Sequence, residues 1–275
     1  KALSILATGS GKTYLACLAS YRLLNYTSTK RVLFLVDRNN LARQTESEFS
    51  LFDRTENGKA LSELYRINRL KKVTDINGDV VISTIQKLFA VLTGQAIPDE
   101  ADEDREDEFS ERDNEKALTE TVILNDDLFL PPDYFQLIVI DECHRGSAKE
   151  DSRWRKILEY FSSATQIGMT ATPKETKEVS NINYFGEPIY TYSLKQGIDD
   201  GFLAPYKVLR VGLDKDLEGW RPTAGQKDIY GYEIDDREYN TKDYDKNLII
   251  DDRTIAVARR ITRFLRENDR FAKTI

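Results

Sequence analysis

A chain of 275 residues is long enough to bury a full hydrophobic core, and with 40% hydrophobic and 10% aromatic residues it is not a disordered polymer. Its formal net charge is −7, but residues 99–115 hold eleven Asp and Glu against two Arg, a local −9 that leaves the remainder at +2; the acidic balance therefore does not exclude a polyanionic partner. No apolar run approaches the ~18–20 residues of a membrane span and the first residues lack the layout of a signal peptide, so no membrane partner is expected and the cytoplasm is the expected location.

The first predicted strand, residues 2–6, runs into Leu6-Ala-Thr-Gly-Ser-Gly-Lys-Thr13 and a helix over 13–24. A glycine-rich loop between a strand and a helix lets consecutive backbone N–H groups converge on phosphate oxygens. Thr8, Gly9, Ser10 and Gly11 form that loop, Lys12 reaches the β- and γ-phosphates, and the Thr13 hydroxyl faces Mg2+. Leu6 stands where the strict phosphate-loop pattern has its first glycine, but Gly9 preserves close backbone approach. The implied chemistry is phosphoryl transfer from a nucleoside triphosphate. Cys17, in this helix, and Cys143 further on are expected as buried thiols of a reducing compartment.

A second strand over 32–36 ends in Asp37-Arg38-Asn39-Asn40 and leads to an amphipathic helix over 41–52, with Asn40 as its expected N-cap. Arg38 and Asn39 at such a strand end suit contacts with a phosphate backbone. The third strand, 80–83, ends in Ser83-Thr84 followed by Gln86, and the same reading applies to it. Residues 93–133, from Thr93-Gly94 to Pro131-Pro132-Asp133, carry the acidic run and turn residues without sustained apolar periodicity; they read as a partly disordered surface insertion.

A fourth strand over 137–140 delivers Asp141-Glu142-Cys143-His144. The first carboxylate is placed for a Mg2+ shell and the second for orienting an attacking water, while two adjacent acids buried without a cation would be too costly for a structural role. His144, the sole histidine, follows Glu142 by two residues. A fifth strand over 166–169 precedes Thr170-Ala-Thr172, two hydroxyls able to bridge the acidic motif to a nucleic-acid side.

Short β-rich runs alternating with helical periodicity predict an α/β fold, a mainly parallel sheet covered on both faces. Each motif follows a strand, and loops at the carboxyl ends of parallel strands converge on one ligand-binding edge. Residues 1–204 are expected to form this nucleotide-binding domain and 205–275 a connecting extension, irregular and strand-like through Tyr230-Gly-Tyr232. A helix follows over 252–267, with Ile255, Ala258, Ile261 and Leu265 on one face. Because a strand begins at the first residue and Lys273-Thr-Ile275 reads as the opening of another, the chain is expected to be a piece of a longer polypeptide.

In order, these segments resemble motifs I, Ia, Ib, II and III of the superfamily 2 helicase-like proteins, in the first of their two RecA-like domains. The stretches from Val32 to Thr45, from Val139 to Gly146 and from Tyr184 to Leu194, with Asp200-Gly-Phe-Leu-Ala-Pro-Tyr206, narrow this to the R subunit (HsdR) of type I restriction enzymes. That resemblance implies an ATP- and Mg2+-dependent translocase on double-stranded DNA, working with modification and specificity subunits. It implies that Lys12 and Thr13 serve ATP and Mg2+, Asp141 holds Mg2+, and Glu142 activates water. His144, Thr170 and Thr172 would couple hydrolysis to DNA, and Arg38 would touch the DNA backbone. It also implies a second RecA-like domain supplying arginines to the transition state, without which this segment binds nucleotide better than it hydrolyses it. No nuclease constellation of carboxylates and lysine is found here. Two alternatives stay open: an RNA helicase or RNA-sensing ATPase with the same Asp-Glu-Cys-His box, and a nucleotide-gated assembly module.

Overall fold

The computed structural model describes residues 1–98, 122–125, 128–145, 153–174, 180–208, 221–223, 225–227, 231, 233–238 and 251–272. They divide into two units, Lys1–Pro205 and Tyr206–Ile275.

The first unit carries a seven-stranded sheet. Its strands are β1 (Ala2–Leu6), β2 (Val32–Val36), β3 (Ile67–Arg69), β4 (Val80–Thr84), β7 (Leu137–Ile140), β8 (Thr165–Thr170) and β9 (Pro188–Tyr192), in spatial order β3-β4-β2-β7-β8-β1-β9 and all parallel. A separate antiparallel pair joins β5 (Val122–Asn125) to β6 (Leu128–Leu130). The helices are α1 (Lys12–Tyr26), α2 (Asn39–Leu51), α3 (Leu61–Leu64), α4 (Ile85–Thr93), α5 (Arg153–Tyr160), α6 (Asn181–Phe185) and α7 (Leu194–Asp199), and 3-10 turns cover Val73–Asn77 and Cys143–Arg145. This is the expected α/β architecture, a parallel sheet between helices with the glycine-rich loop after β1.

Strand alternation builds the two cores. Successive side chains point to opposite faces, so Leu33 and Leu35 of β2 join Ile138 and Ile140 of β7 beneath α4, α5 and α6. Val32, Phe34 and Val36 join Val139 on the other face, beneath Cys17 of α1 and Phe49 of α2. All five residues of β2 are fully buried, which requires helices on both faces and explains why the run is apolar throughout rather than alternating.

The structure departs from the sequence reading at three places. α2 starts at Asn39, two residues earlier than expected, so Asn40 is not its N-cap; Arg38 occupies that position in extended conformation with no side-chain cap bond. The side chain of the buried Asn39 instead accepts a hydrogen bond from Lys87 Nζ at 2.8 Å, which draws the first turn inward. Second, the region 93–133 contributes to the core at both ends: Thr93 closes the buried α4, and Leu130 is fully buried, its carbonyl accepting the Tyr160 hydroxyl at 2.6 Å. The apolar Val-Ile-Leu and Leu-Phe-Leu runs flanking Asp126 are the signal for the β5–β6 pair; the acidic residues 99–115 lie outside the described residues. Third, within the second unit α8 (Asp251–Glu267) starts one residue earlier than expected, and Ile255 and Ile261 of its apolar face are 46% and 45% exposed. Residues Tyr230 and Tyr232 lie outside the described residues.

Candidate nucleotide-binding site

The loop after β1 turns tightly because Ser10 donates twice to the Ala7 carbonyl, from its N–H at 3.1 Å and its hydroxyl at 2.6 Å. Gly9 and Gly11 take positive φ, 80° and 90°, a region that favours glycine. Gly11 is the N-cap of α1, and no side chain caps that helix, so its first-turn N–H donors are left for an anion. Thr8, Gly9 and Gly11 are exposed, and Ser10, Lys12 and Thr13 are half-buried.

Parallel pairing carries the acidic motif to the same edge. β8 lies between β1 and β7, with Ile5 opposite Thr170 and Ile140 opposite Gly168, so the loops after all three strands emerge side by side. Lys12 Nζ meets Glu142 Oε1 at 3.1 Å, a contact across 130 positions of sequence between side chains only 10% and 24% exposed. Glu142 adopts φ +48°, the one left-handed non-glycine residue among those described. Its N–H donates to Asp141 Oδ1 at 3.0 Å. Burial, and then the adjacent Glu142 carboxylate, push the Asp141 carboxyl above its ordinary range, while Lys12 pulls it back. A cation beside Asp141 relieves the same penalty.

His144 Nδ1 lies 2.8 Å from Thr170 Oγ1 and 3.3 Å from Glu142 Oε2, and Thr170 Oγ1 also accepts the Thr172 N–H at 3.1 Å. The acidic box and the Thr-Ala-Thr loop are thus joined through one imidazole; Thr170 contributes its hydroxyl and Thr172 its N–H. Cys143, between Glu142 and His144, is buried, and burial with the two neighbouring carboxylates pushes its thiol up to about 12. Cys17 is pushed up to about 12 as well, chiefly by burial, so both thiols stay protonated and behave as small apolar groups.

The residues read as backbone-phosphate contacts do not all reach the surface. Arg38 is exposed, with its guanidinium 3.4 Å from Asp37. Asn39, Ser83 and Thr84 are 3%, 1% and 1% exposed. Ser83 Oγ donates to the Thr84 carbonyl at 2.8 Å, and Thr84 is the N-cap of α4, its hydroxyl accepting the Lys87 N–H. Two residues passed over in sequence take part here. Lys87 is buried against Asn39, and Asn181 bonds the backbone of both Cys143 and Lys174. Neither carries a local sequence signal, because each acts through a fold-level contact.

A Mg-nucleotide would draw its protein oxygen ligands here from Thr13 and Asp141, since such an ion is held by one or two carboxylates together with substrate phosphates. Among the described residues no group of three His, Cys, Asp or Glu could hold a metal by itself. No described helix is long and apolar enough to cross a membrane.

Residues 1–175 match the ResIII family, described as type III restriction enzyme, res subunit. The whole chain is 48% identical over 276 residues to the type I restriction enzyme EcoAI endonuclease subunit of Escherichia coli, covering 29% of that protein. It is 27% identical over 290 residues to the EcoKI endonuclease subunit of Escherichia coli K12, covering 96% of this chain and 22% of that one. In structure it is similar to a fragment from Vibrio vulnificus YJ016 described as an HsdR subunit of a type I restriction enzyme, with TM-score 0.52, 27% identity, and coverage of 99% of this chain and 37% of that one. The chain spans less than a third of the length of both Escherichia coli relatives.

Proposed function

The chain belongs to the ResIII family of restriction-enzyme res subunits, and from that premise we propose that it is the nucleotide-binding motor segment of a type I restriction R subunit, coupling ATP hydrolysis to movement along double-stranded DNA. The observation that carries this reading is the Lys12–Glu142 contact at 3.1 Å, which brings the glycine-rich loop and the acidic box into one site.

ATP places its phosphates on the Gly9–Gly11 loop and the first turn of α1, and Lys12 exchanges Glu142 for the β- and γ-phosphates. Thr13 and Asp141 would hold Mg2+, which would supply charge neutralisation for the phosphates. Glu142, released from Lys12, orients a water for in-line attack on the γ-phosphorus and takes its proton, and the bond to the β–γ bridging oxygen breaks to release ADP. His144 and Thr170 pass the change at Glu142 to the loop carrying Thr172. Arg38 is the exposed cation placed to follow a phosphate backbone. In the full protein this segment works in the cytoplasm with modification and specificity subunits, and a second RecA-like domain supplies the arginines that complete the transition state.

The test is ATP hydrolysis by the full-length parent with its partner subunits, in the presence of duplex DNA carrying a recognition site, single-stranded DNA, or double-stranded RNA. Stimulation by the duplex DNA, abolished by Lys12→Ala, is the expected outcome. Stimulation by RNA alone would replace the DNA reading with an RNA-dependent ATPase, and nucleotide binding without hydrolysis under every condition would leave a nucleotide-gated assembly module.

A further inference from the structure

Asn181 is fully buried and opens α6. Its carboxamide spends both halves on backbone groups: Nδ2 donates to the Cys143 carbonyl at 3.2 Å and Oδ1 accepts the Lys174 N–H at 2.8 Å. Its own N–H donates to the Lys174 carbonyl at 3.1 Å. The Cys143 carbonyl belongs to the peptide joining Cys143 to His144, and Lys174 lies two residues past Thr172. One side chain therefore ties the turn bearing Glu142 and His144 to the loop that follows Thr170.

The other end of α6 makes an independent contact with the same two segments. A Cβ added at Gly168 of β8 would lie 2.8 Å from Phe185 Cζ and 3.0 Å from Cys143 Sγ. Phe185 is thus packed onto β8 two residues before Thr170, with the Cys143 side chain beside it, so α6 braces β8 and the acidic turn at two separate points.

We propose that Asn181 is a positioning residue for nucleotide hydrolysis, fixing the Glu142–His144 turn against the Thr170–Lys174 loop and so setting where Glu142 holds the attacking water. The assignment rests on the reading of this site as an ATPase. Glu142 has a strained φ of +48°, a conformation that persists only where the surroundings over-determine it, and the bond to the next carbonyl along is one of the constraints that do so. The chemistry demands an amide. A carboxylate of the same shape offers acceptors only and would face the Cys143 carbonyl with a second oxygen. A serine hydroxyl is too short to bridge both loops. A displacement of about 1 Å at a reacting group costs on the order of 10²-fold in rate.

The experiment uses the full-length parent with its partner subunits and compares wild type, Asn181→Asp, the milder Asn181→Ser, and Tyr184→Phe. The last removes a buried hydroxyl bond to Gln166 of 2.7 Å from the same helix without touching either loop. Steady-state kcat and KM for ATP with duplex DNA, nucleotide affinity and thermal midpoint are measured, with kinetics well below the lowest midpoint. Both Asn181 variants are expected to lose ~10–100-fold in kcat with KM and nucleotide affinity within about twofold of wild type, while Tyr184→Phe loses thermal stability and keeps kcat. The proposal is overturned if Asn181→Ser keeps wild-type kcat, if Tyr184→Phe loses as much kcat as the Asn181 variants, or if nucleotide affinity collapses with kcat. Should Asn181→Asp fail to fold, Asn181→Ser decides. Wild type that binds nucleotide but hydrolyses none with any nucleic acid would instead remove the ATPase reading on which the proposal stands.

Discussion

Lys12 has two anions competing for it. It is paired with Glu142 at 3.1 Å in a half-buried setting, and on the proposed ATPase reading a triphosphate on the loop would take it over. Replacing Glu142 by its neutral isostere separates the two consequences of that pairing. Glu142→Gln removes the group that accepts the water's proton, a role worth ~10²–10⁴-fold, and also frees Lys12 from a charged partner. The expected outcome is a fall in hydrolysis of that size with nucleotide affinity equal to or above wild type, read by single-turnover hydrolysis alongside titration with a fluorescent nucleotide in the full-length parent. A parallel loss of affinity would mean that Glu142 shapes the loop rather than the chemistry.

At the scale of elements, β8 and α6 approach closely because residue 168 has no side chain. Gly168→Ala would force its Cβ to within 2.8 Å of the Phe185 ring and 3.0 Å of Cys143 Sγ, and overpacking of a closed core costs ~1–3 kcal/mol. Thermal or urea denaturation should register that loss, and no change in midpoint would mean that α6 shifts freely on the sheet. This contact was not legible in the sequence, and the reason is physical. The apolar runs at 32–36 and 137–140 announced themselves because full burial on both faces demands unbroken hydrophobicity. In contrast, β3 has three residues, Ile67–Arg69, and β9 is an edge strand with Ile189 and Tyr190 exposed, so neither needs such a run. Helix α4 follows β4 with no turn residue between them, and it escaped for that reason. Thr84, which caps it, was legible only as a polar residue at a strand end, and capping and phosphate contact draw on the same hydroxyl chemistry. The phosphate loop and the Asp141–His144 box were readable because their chemistry fixes residue type and spacing. Asn181 was not, since its partners are backbone groups that any residue would supply.

For the whole molecule, the uneven charge is the feature that acts beyond contact distance. Residues 99–115 carry −9 while the rest of the chain carries +2, so on the DNA-translocase reading the acidic stretch repels the polyanion that Arg38 attracts. Charge repulsion across solvent is screened over ~30 Å at 0.01 M salt and ~8 Å at 0.15 M. Deleting 99–115 from the full-length parent should therefore tighten duplex DNA binding chiefly at low salt, with the two proteins converging as salt rises. The plot of log affinity against log salt should become steeper, because the deletion removes a net −9 that offsets the attraction. Equilibrium binding to a fixed duplex at several salt concentrations measures this directly. An unchanged salt slope would place the acids too far from the DNA path to be felt. Weaker binding at every salt concentration would mean that the stretch holds a basic surface of the complex in place for DNA, which is a docking role rather than an electrostatic one.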